Sequence, residues 1–440
     1  MQPTAPALTW ALPFAGLLAS MAGFPIVAPR FWRRWMWLVA LFWSAALAAV
    51  LAAVLGMHAA FAAVWHAMVI EYLPFVTLLL ALYAAGGGVL LRGGLAGTAF
   101  GNTAMLGLGM VMGVVMGTTG ASMVLIHPLL RANAHRQKKV HLVLFLIVLV
   151  ANASGALTPL GNPPLYIGLL RGVPFFWPAR HLVLPLLLLS GCLLAGFFLI
   201  DRHLAASEPP PPARAERFRL RGIGNLVLIL LVGISVLAQP LLPSTSVTLL
   251  VEPIALPQMA SIGLFLMVTV VSAGLTPRAI RQANDFSWEP MAEVAILFAA
   301  IFVTIGPVTA ILQAGPNGPL AAFVRFSHGS GGEPWPFAYF WLTGLLSAFL
   351  DNAPTYLVFF EMAGIRPVAM TASQTATLTA ISAGAVFFGG LTYIGNAPNM
   401  MLRAIAAHRG VHMPGFFGFT LLASATLLPV LLLVGLVFFR

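Results

Sequence analysis

Charged side chains are scarce in this sequence. Only 8% of the 440 residues are Asp, Glu, Lys or Arg, whereas 60% are apolar. An ordinary soluble domain has about 25% charged residues, so this chain has too few to cover a surface in contact with water. The composition therefore excludes a water-soluble fold and predicts a protein that lies in a lipid bilayer.

Only one cysteine is present, and the usual catalytic groupings are missing. The single cysteine, Cys192, lies in an apolar segment and can form no internal disulfide bond. The sequence contains no recognisable pair of nucleophile and base, no metal-ligand spacing among its histidines and no nucleotide-binding loop. These absences disfavour a membrane-embedded enzyme and predict that no cofactor is bound.

Long apolar runs recur from one end of the chain to the other. A run of about 20 residues is long enough to cross the roughly 30 Å of hydrocarbon in a bilayer. Two further stretches, about 95–130 and 335–364, are interrupted midway by Gly, Pro or Asp and predict re-entrant hairpins. The pattern predicts an all-α polytopic membrane protein whose ten spans lie at about 7–29, 36–56, 70–91, 140–170, 174–200, 223–243, 258–275, 291–313, 372–406 and 413–439.

Basic residues lie in short loops between these runs. The net charge of +11 could suggest a nucleic-acid partner, but these residues do not line one face. Their position indicates membrane topology instead, because positively charged loops stay in the cytoplasm. We expect a multi-pass protein of a bacterial-type inner membrane, a retained first span, both termini in the periplasm, and cytoplasmic loops at Arg30, Arg33 and Arg34, at Arg131, Arg136, Lys138 and Lys139, at Arg214, Arg217, Arg219 and Arg221, and at Arg278 and Arg281.

One sustained polar stretch, residues 201–222, divides the chain almost in the middle and predicts a cytoplasmic linker rich in Pro and Arg. Residues 1–200 and 223–440 each contain three spans, a hairpin, a broken span and a final span. Since five full crossings is an odd number, the second half must enter the membrane in the opposite orientation. We therefore expect two inverted repeats, an arrangement found in many secondary transporters.

Residue identities agree with this division. The pattern T-x-x-G-N-x-P occurs at 158–164 and again at 392–398, an offset of 234 positions. At the same offset the tip of the first hairpin, GTTGAS at 117–122, falls on DNAPTY at 351–356 in the second. The spacing between tip and break is thus the same in both halves.

The two tips and the two breaks are the expected site. Non-helical backbone within a membrane is tolerated where protein or a water-filled cavity satisfies its polar groups, so these four points should converge. The alternative is that Gly-Asn-Pro only turns the chain. The candidate ligands are the neutral oxygen-bearing side chains of Thr118, Thr119, Ser122, Thr158, Asn162, Asn352, Thr355, Thr392 and Asn396.

Asp351 is the sharpest single candidate, because a carboxylate in an apolar segment costs about 2.5–3.5 kcal/mol on insertion scales. It could bind Na+ when ionised and a proton when neutral; alternatively it caps the following helix. Glu361 and His127 are related by the same offset of 234 positions. With Asn152 they could couple proton movement to transport. Equally, both could lie where the hairpins open to water. Glu71, at the start of a span, is assigned no transport role.

Four segments together carry a family resemblance. The chain resembles the NhaD-type sodium/proton antiporters of the ion transporter superfamily, which also holds citrate, dicarboxylate and arsenite carriers. The resemblance rests on GTTGASMVLIHPLLRAN, ANASGALTPLGNPPLYIGLLRGVPFFW, FLDNAPTYLVFF and GGLTYIGNAPNMMLRAIA, in that order. It implies a homodimer whose protomers each have a scaffold and a mobile transport domain, with ion-site positions at Asp351, Asn352, Thr355, Thr158, Asn162, Thr392 and Asn396.

Two functions follow as expectations. The first is a Na+/H+ antiporter in which Asp351 is the shared cation and proton site. The second is a Na+- or H+-coupled carrier of an organic carboxylate, such as citrate, or an oxyanion, held by the breaks and helix N-termini. Asp351 favours the first. Asn162 favours the second, because close relatives among the antiporters often have Asp there, and His127 likewise stands where they often have Arg.

Overall fold

The computed structural model describes residues 8–93, 97–210, 219–243, 245–314, 318–329 and 333–440. Ten helices in these ranges are long and apolar enough to cross a bilayer by length and composition. This confirms the prediction of an all-α polytopic membrane protein. Arg214 and Arg217 of the predicted third loop lie outside the described residues.

The described part of the first half is helical apart from one short strand. Its elements are α1 (Leu12–Val27), α2 (Pro29–Leu55), α3 (Met57–Trp65), α4 (Leu73–Gly86), β1 (Leu90–Arg92), α5 (Ala99–Ala132), α6 (Val140–Phe145), α7 (Pro163–Leu170) and α8 (Trp177–Ala205).

The described part of the second half follows the same order, with additional short elements. They are β2 (Arg219–Arg221), α9 (Ile223–Ala238), β3 (Ser246–Leu249), β4 (Glu252–Ala255), α10 (Leu256–Leu275), α11 (Arg278–Ala283), α12 (Glu289–Gln313), α13 (Ala321–Phe326), α14 (Pro336–Leu350), α15 (Asn352–Met362), α16 (Ala372–Phe387), α17 (Ala397–His408) and α18 (Phe416–Phe438).

The third span begins earlier than the predicted residue 70. A π-helical segment, His66–Tyr72, joins α3 to α4, so one apolar helical unit runs from Met57 to Gly86. The sequence pattern missed its start because Glu71 and the two histidines His58 and His66 resemble a span boundary. Glu71 and His66 are instead part of the helix and have ionic partners on other elements.

Each predicted hairpin is a pair of helical arms separated by one non-helical residue. The arms of α5 meet at Gly117, with φ 77° and ψ 154°. In the second half, α14 and α15 meet at Asp351, with φ 75° and ψ 151°. A positive φ with an extended ψ is a conformation used almost only by glycine, and it ends one arm and starts the other within a single residue.

Each predicted broken span has an extended segment in its middle. In the first, α6 continues as a π-helix to Val150, and a 3₁₀ turn at Ala153–Leu157 leads through Thr158–Asn162 into α7. In the second, α16 and a 3₁₀ turn at Phe388–Leu391 lead into α17. Gly161 packs against the backbone of Gly155 so closely that a β-carbon on it would lie 2.6 Å from the Gly155 carbonyl oxygen.

The predicted linker at 201–222 begins later than expected. Helix α8 continues to Ala205, because the carboxylate of Asp201 is fully buried against Arg136 and His141 rather than exposed in a loop. At the other end, β2 pairs antiparallel with β1. The β3–β4 hairpin, also antiparallel, was not predicted from the apolar pattern.

Burial separates the helices into two groups. In the most apolar stretch of Val140–Leu157, 89% of the residues are buried, and in that of Ala99–Ala132, 72% are buried. In Pro29–Leu55 only 17% is buried. Apolar side chains left exposed on this scale suit contact with lipid. The first hairpin and the first broken span therefore lie in the interior of the protein.

Candidate functional site

A central cavity of about 70 Å³ lies where the hairpin tips and the breaks meet. One water needs about 10–15 Å³ by this measure, so the cavity has room for about five waters or a small solute. One wall comes from α4 and α12, and the other comes from both tips and both breaks. Its lining is Leu79, Leu82, Tyr83, Met116, Gly117, Thr118, Thr119, Gly120, Leu160, Gly161, Pro163, Pro290, Met291, Val294, Phe298, Asp351, Asn396, Ala397, Pro398 and Met401.

Four of the predicted site residues line this cavity: Thr118, Thr119, Asp351 and Asn396. Asp351 is the one carboxylate among the lining residues. The other candidates lie behind the wall or further away. The structure thus brings the two tips and the two breaks together. Most of the candidate side chains lie behind the cavity wall and support it rather than form it.

Asp351 caps helix α15 and also lines the cavity. Its Oδ1 accepts hydrogen bonds from the backbone N–H groups of Asn352, at 2.6 Å, and Ala353, at 3.5 Å. The geometry is therefore compatible with Asp351 as an ion-binding residue and with Asp351 as the cap of the following helix. A carboxylate at a helix N-terminus is also favoured by the helix dipole.

Asn162 and Asn352 form a buried pair that joins the first break to the second hairpin. Asn352 Nδ2 donates to Asn162 Oδ1 at 2.8 Å, and both side chains are at most 1% exposed. Asn162 Nδ2 and Asn352 Oδ1 have no hydrogen-bond partner within the described part of the chain. An unpaired polar atom in such a place costs about 1–3 kcal/mol, so this pair is ready to bind a water or a ligand atom.

A second asparagine group joins the two broken spans. Asn396 Nδ2 donates to the Ala151 carbonyl at 2.9 Å and to Asn152 Oδ1 at 3.1 Å. Asn152 Nδ2 in turn donates to Asn399 Oδ1 at 2.9 Å. Asn152 was predicted as a coupling residue, and here it positions a cavity-lining residue. Asn399 was missed, although its place three residues after Asn396 on α17 could have indicated it.

Two threonine hydroxyls attach the breaks to the hairpins in the same way in both halves. Thr158 Oγ1 donates to the Val114 carbonyl, and Thr392 Oγ1 donates to the Ala348 carbonyl, both at 2.5 Å. Each hydroxyl also accepts from a glycine N–H at 3.1 Å. These hydroxyls therefore already hold the backbone of the breaks in place.

The hydroxyls of Ser122 and Thr355 are occupied within their own helices. Ser122 donates to the Thr118 carbonyl at 2.7 Å, and Thr355 donates to the Asp351 carbonyl at 2.9 Å. Both contacts stabilise the first turn after a hairpin tip. Neither residue lines the cavity, so a role as an ion ligand for either stays a prediction.

Glu361 and His127 belong to separate ionic clusters. Glu361 accepts from Gln313 Nε2 at 2.9 Å and lies 3.5 Å from the guanidinium of Arg171. His127 Nδ1 lies 3.9 Å from Asp285 Oδ2. The two residues do not contact one another and do not line the central cavity. Direct coupling between them stays a prediction.

A second, larger cavity contains ionic groups that the sequence pattern did not single out. It has a volume of about 870 Å³, and its lining includes His66, Glu71, Arg171 and Glu252. Arg171 Nη2 lies 2.9 Å from Glu71 Oε1, and His66 Nδ1 lies 2.8 Å from Glu252 Oε2. The missed partners are between 100 and 186 positions apart, a separation that no local pattern reveals.

The described residues contain no group of three or more His, Cys, Asp or Glu arranged to hold a metal ion. The oxygen atoms around the central cavity come instead from a carboxylate, amides, hydroxyls and backbone. The predicted Na+ site at Asp351 stays a prediction.

Helix starts also converge on this cavity. The second arm of α5 begins at Thr118, α7 at Pro163, α15 after Asp351 and α17 at Ala397, and each of these residues is part of the lining. Helix N-termini carry a partial positive charge and N–H groups without partners in their own helix. Asp351 neutralises one of the four. The other three have no acidic side chain beside them among the lining residues.

The sequence profile of a family described as "Putative citrate transport" matches residues 4–439. None of the curated proteins matches the chain. The match supports a secondary transporter of the superfamily to which the motifs point, but not sodium/proton antiport in particular. The match covers nearly the whole chain, and the protein therefore belongs to the family described as "Putative citrate transport".

Proposed function

We propose that this protein is a secondary active transporter that carries a small organic carboxylate, citrate-like in chemistry, together with Na+ or H+. The observation that carries this proposal is the set of four helix N-termini around one cavity, of which one is neutralised by a carboxylate. The family match favours the same cargo over a cation alone.

The anion would bind on the side of the first hairpin. Thr118, Thr119 and Gly120 form the first turn of a helical arm there and bear no charge. The Thr118 N–H already donates to the Gly161 carbonyl at 3.1 Å, so the donors would be the N–H groups of Thr119 and Gly120. Such groups at a helix start, together with the positive end of the dipole, bind carboxylate and phosphate oxygens. Helix α7 begins with two prolines, which have no N–H, so it contributes its dipole and the unpaired Nδ2 of Asn162 rather than backbone donors.

Asp351 would couple a cation to the anion. An ionised carboxylate in the same small cavity repels a substrate carboxylate, and bound Na+ or a proton removes that repulsion. Binding of the cation therefore favours binding of the anion, and by thermodynamic linkage the anion favours the cation equally. A cavity of about 70 Å³ holds both groups within a few ångströms of each other, so this coupling is direct.

The opposite wall makes these electrostatic effects strong. Leu79, Leu82, Val294 and Phe298 face the polar tips and breaks across the cavity. Apolar side chains exclude water and lower the local dielectric constant. This strengthens the repulsion between Asp351 and a substrate carboxylate, and also the attraction of both carboxylates for a bound cation.

Na+/H+ exchange is a second candidate, supported by Asp351 alone. A single carboxylate that lines a cavity and binds either Na+ or a proton suffices for exchange. The choice of Na+ or H+ as coupling ion, the homodimer, the bacterial-type inner membrane and the periplasmic termini also stay predictions.

Uptake by purified protein in liposomes separates the two candidates. Labelled citrate is supplied outside under an inward Na+ gradient, an inward proton gradient or no gradient, and entrapped dye reports internal pH. We expect citrate accumulation that one of the two gradients drives. Sodium-dependent proton movement with no uptake of citrate, or of dicarboxylates tried in its place, would support the exchanger instead.

A further inference from the structure

Ionic contacts connect the two walls near both ends of α12, at the central cavity's end of that helix and beside the second cavity, which Glu71 and Arg171 line. The α4–α12 wall and its flanking segments contribute Glu71, Gln313 and Asp285. The wall of hairpins and broken spans contributes the partners of these residues, Arg171, Glu361, His127 and Arg409. Movement of one wall against the other has to break these contacts.

The first group of contacts is the Arg171 cluster, formed by Arg171, Glu71, Glu361 and Gln313. Arg171 is the residue at which α7 ends, and it lies 2.9 Å from Glu71 and 3.5 Å from Glu361. Gln313 ends α12 and donates to Glu361 at 2.9 Å. The cluster thus joins α7 and the α15 arm to α12 and to the π-helical segment that precedes α4.

The second group is the Arg409 cluster, formed by Arg409, Asp285 and His127. Arg409 is the residue at which α17 ends, and its Nη2 lies 3.2 Å from Asp285 Oδ2. Asp285 precedes the start of α12 by four residues, and His127 lies 3.9 Å from it. Helix α12 is 25 residues long, so its two ends are about 37 Å apart; Gln313 lies at one end, and Asp285 lies four residues before the other.

The two clusters repeat one arrangement. Each contains the arginine that ends the helix after a break, an acid on the other wall, and a residue of a returning hairpin arm. Those hairpin residues, His127 and Glu361, are 234 positions apart, which is the offset that relates the two halves. If the halves are inverted copies, the clusters are equivalent structures at opposite faces of the membrane.

We propose that the Arg171 and Arg409 clusters are the two gates of the transporter, each of which must separate for the cavity to open at its end. The inference rests on transport through the central cavity, and it does not depend on which ion or acid is carried. The Arg409–Asp285 and Arg171–Glu71 pairs are suited to this because their side chains are partly exposed, 40% and 33% in the first pair and 28% and 18% in the second. Ion pairs near a surface are weak enough to break and form again.

The clusters differ in one respect that affects the equilibrium between the two states. The Arg171 cluster has two acids and a glutamine, whereas the Arg409 cluster has one acid and a histidine. More contacts at one end favour the state closed at that end. Loss of a contact at either end should therefore shift the accessibility of the cavity in opposite directions.

Reversible crosslinking tests the gates directly. In a Cys192→Ser background, Glu71→Cys with Arg171→Cys places a thiol pair across one gate, and Asp285→Cys with Arg409→Cys places one across the other. Lys138→Cys with Ser207→Cys is the matched control, because Lys138 Nζ and Ser207 Oγ are 3.3 Å apart at an exposed contact away from the α4–α12 wall. A short thiol crosslinker should abolish most uptake in the two gate pairs, and reduction should restore it, with no loss in the control pair.

Thiol labelling tests the same proposal without a transport assay. Met291→Cys, in the Cys192→Ser background, places a thiol in the cavity wall. An impermeant reagent added from one side of the membrane should label it faster with Glu71→Gln, and from the other side faster with Asp285→Asn. Crosslinks that leave uptake intact would overturn the proposal. So would Glu71→Gln and Asp285→Asn if both change the labelling rate from the same side of the membrane, or if neither changes it. If citrate proves not to be the cargo, the labelling result still stands.

Discussion

Gly117 and Asp351 have the same backbone conformation at the tips of the two hairpins. Their φ and ψ angles are 77° and 154° for Gly117 and 75° and 151° for Asp351, and the residues are 234 positions apart. One tip uses glycine, which adopts this conformation without strain, and the other uses aspartate, for which it costs on the order of 1–3 kcal/mol. The carboxylate is thus kept in a place that glycine would occupy more easily, which points to a function for its charge.

Asp351→Asn should uncouple transport while leaving the fold intact. Asparagine caps a helix as well as aspartate does, so the melting temperature in detergent should stay close to that of the wild type. Without an ionisable group in the cavity, citrate uptake should no longer depend on the driving gradient. Uptake in liposomes with and without the gradient measures this, and a mutant that still responds fully to the gradient would show that another residue couples the ion.

Gly117→Ala should destabilise the protein, because alanine has a β-carbon where φ is positive. That atom would also lie 3.3 Å from the Leu160 carbonyl oxygen. We expect a loss of about 1–3 kcal/mol in unfolding free energy, seen as a lower melting temperature. Gly107→Ala is the matched control: it lies in the same helix with nothing within 4 Å of an added β-carbon, and it should raise stability slightly. Equal effects from both substitutions would contradict the assigned tip conformation.

Asn162→Asp should favour a cation over an anion. The new carboxylate can still accept the hydrogen bond from Asn352 Nδ2, so folding should be preserved. A second negative charge beside the cavity should abolish citrate uptake, and Na+-dependent proton movement should increase. Asn162→Ala separates charge from hydrogen bonding, since it removes the amide without adding a charge and should only raise the KM for citrate. Loss of uptake to the same extent in both variants would mean that the amide itself is essential.

Thr119→Val should weaken substrate binding at the neutral hairpin tip. Valine keeps the shape of threonine and removes the hydroxyl, and a hydrogen bond of about 1 kcal/mol corresponds to roughly a fivefold higher KM. Thr103→Val is the control, because the Thr103 hydroxyl bonds to the Ala99 carbonyl within the same helix and does not line the cavity. A change of the same size in the control would place the effect in the helix rather than in the site.

The spans, the two tips and the two breaks can be predicted from the sequence because each depends on neighbouring residues. Hydropathy sets the length of a span, and Gly-Asn-Pro interrupts a helix wherever it occurs. The offset that relates the two breaks also located the tips, and the torsion angles of Gly117 and Asp351 agree with it. Convergence of the breaks followed from the rule that irregular backbone at membrane depth must be surrounded by protein.

The gates and the supporting network could not be read in this way. Arg171 meets Glu71 and Glu361 across 100 and 190 positions, and Asp201 pairs with Arg136 only because α8 packs against the end of the first hairpin. Such pairs depend on the tertiary arrangement of whole helices. The cargo was the least determined property, because one carboxylate beside three neutral helix starts suits a cation and an anion alike, and the family match was needed to favour the anion.

The most direct test of the account is citrate uptake by wild-type protein and Asp351→Asn in the same liposomes, with internal pH recorded at the same time. We expect gradient-driven accumulation of citrate by the wild type and gradient-independent equilibration by the mutant. Sodium-dependent proton movement by the wild type, with neither citrate nor any dicarboxylate taken up, would contradict it.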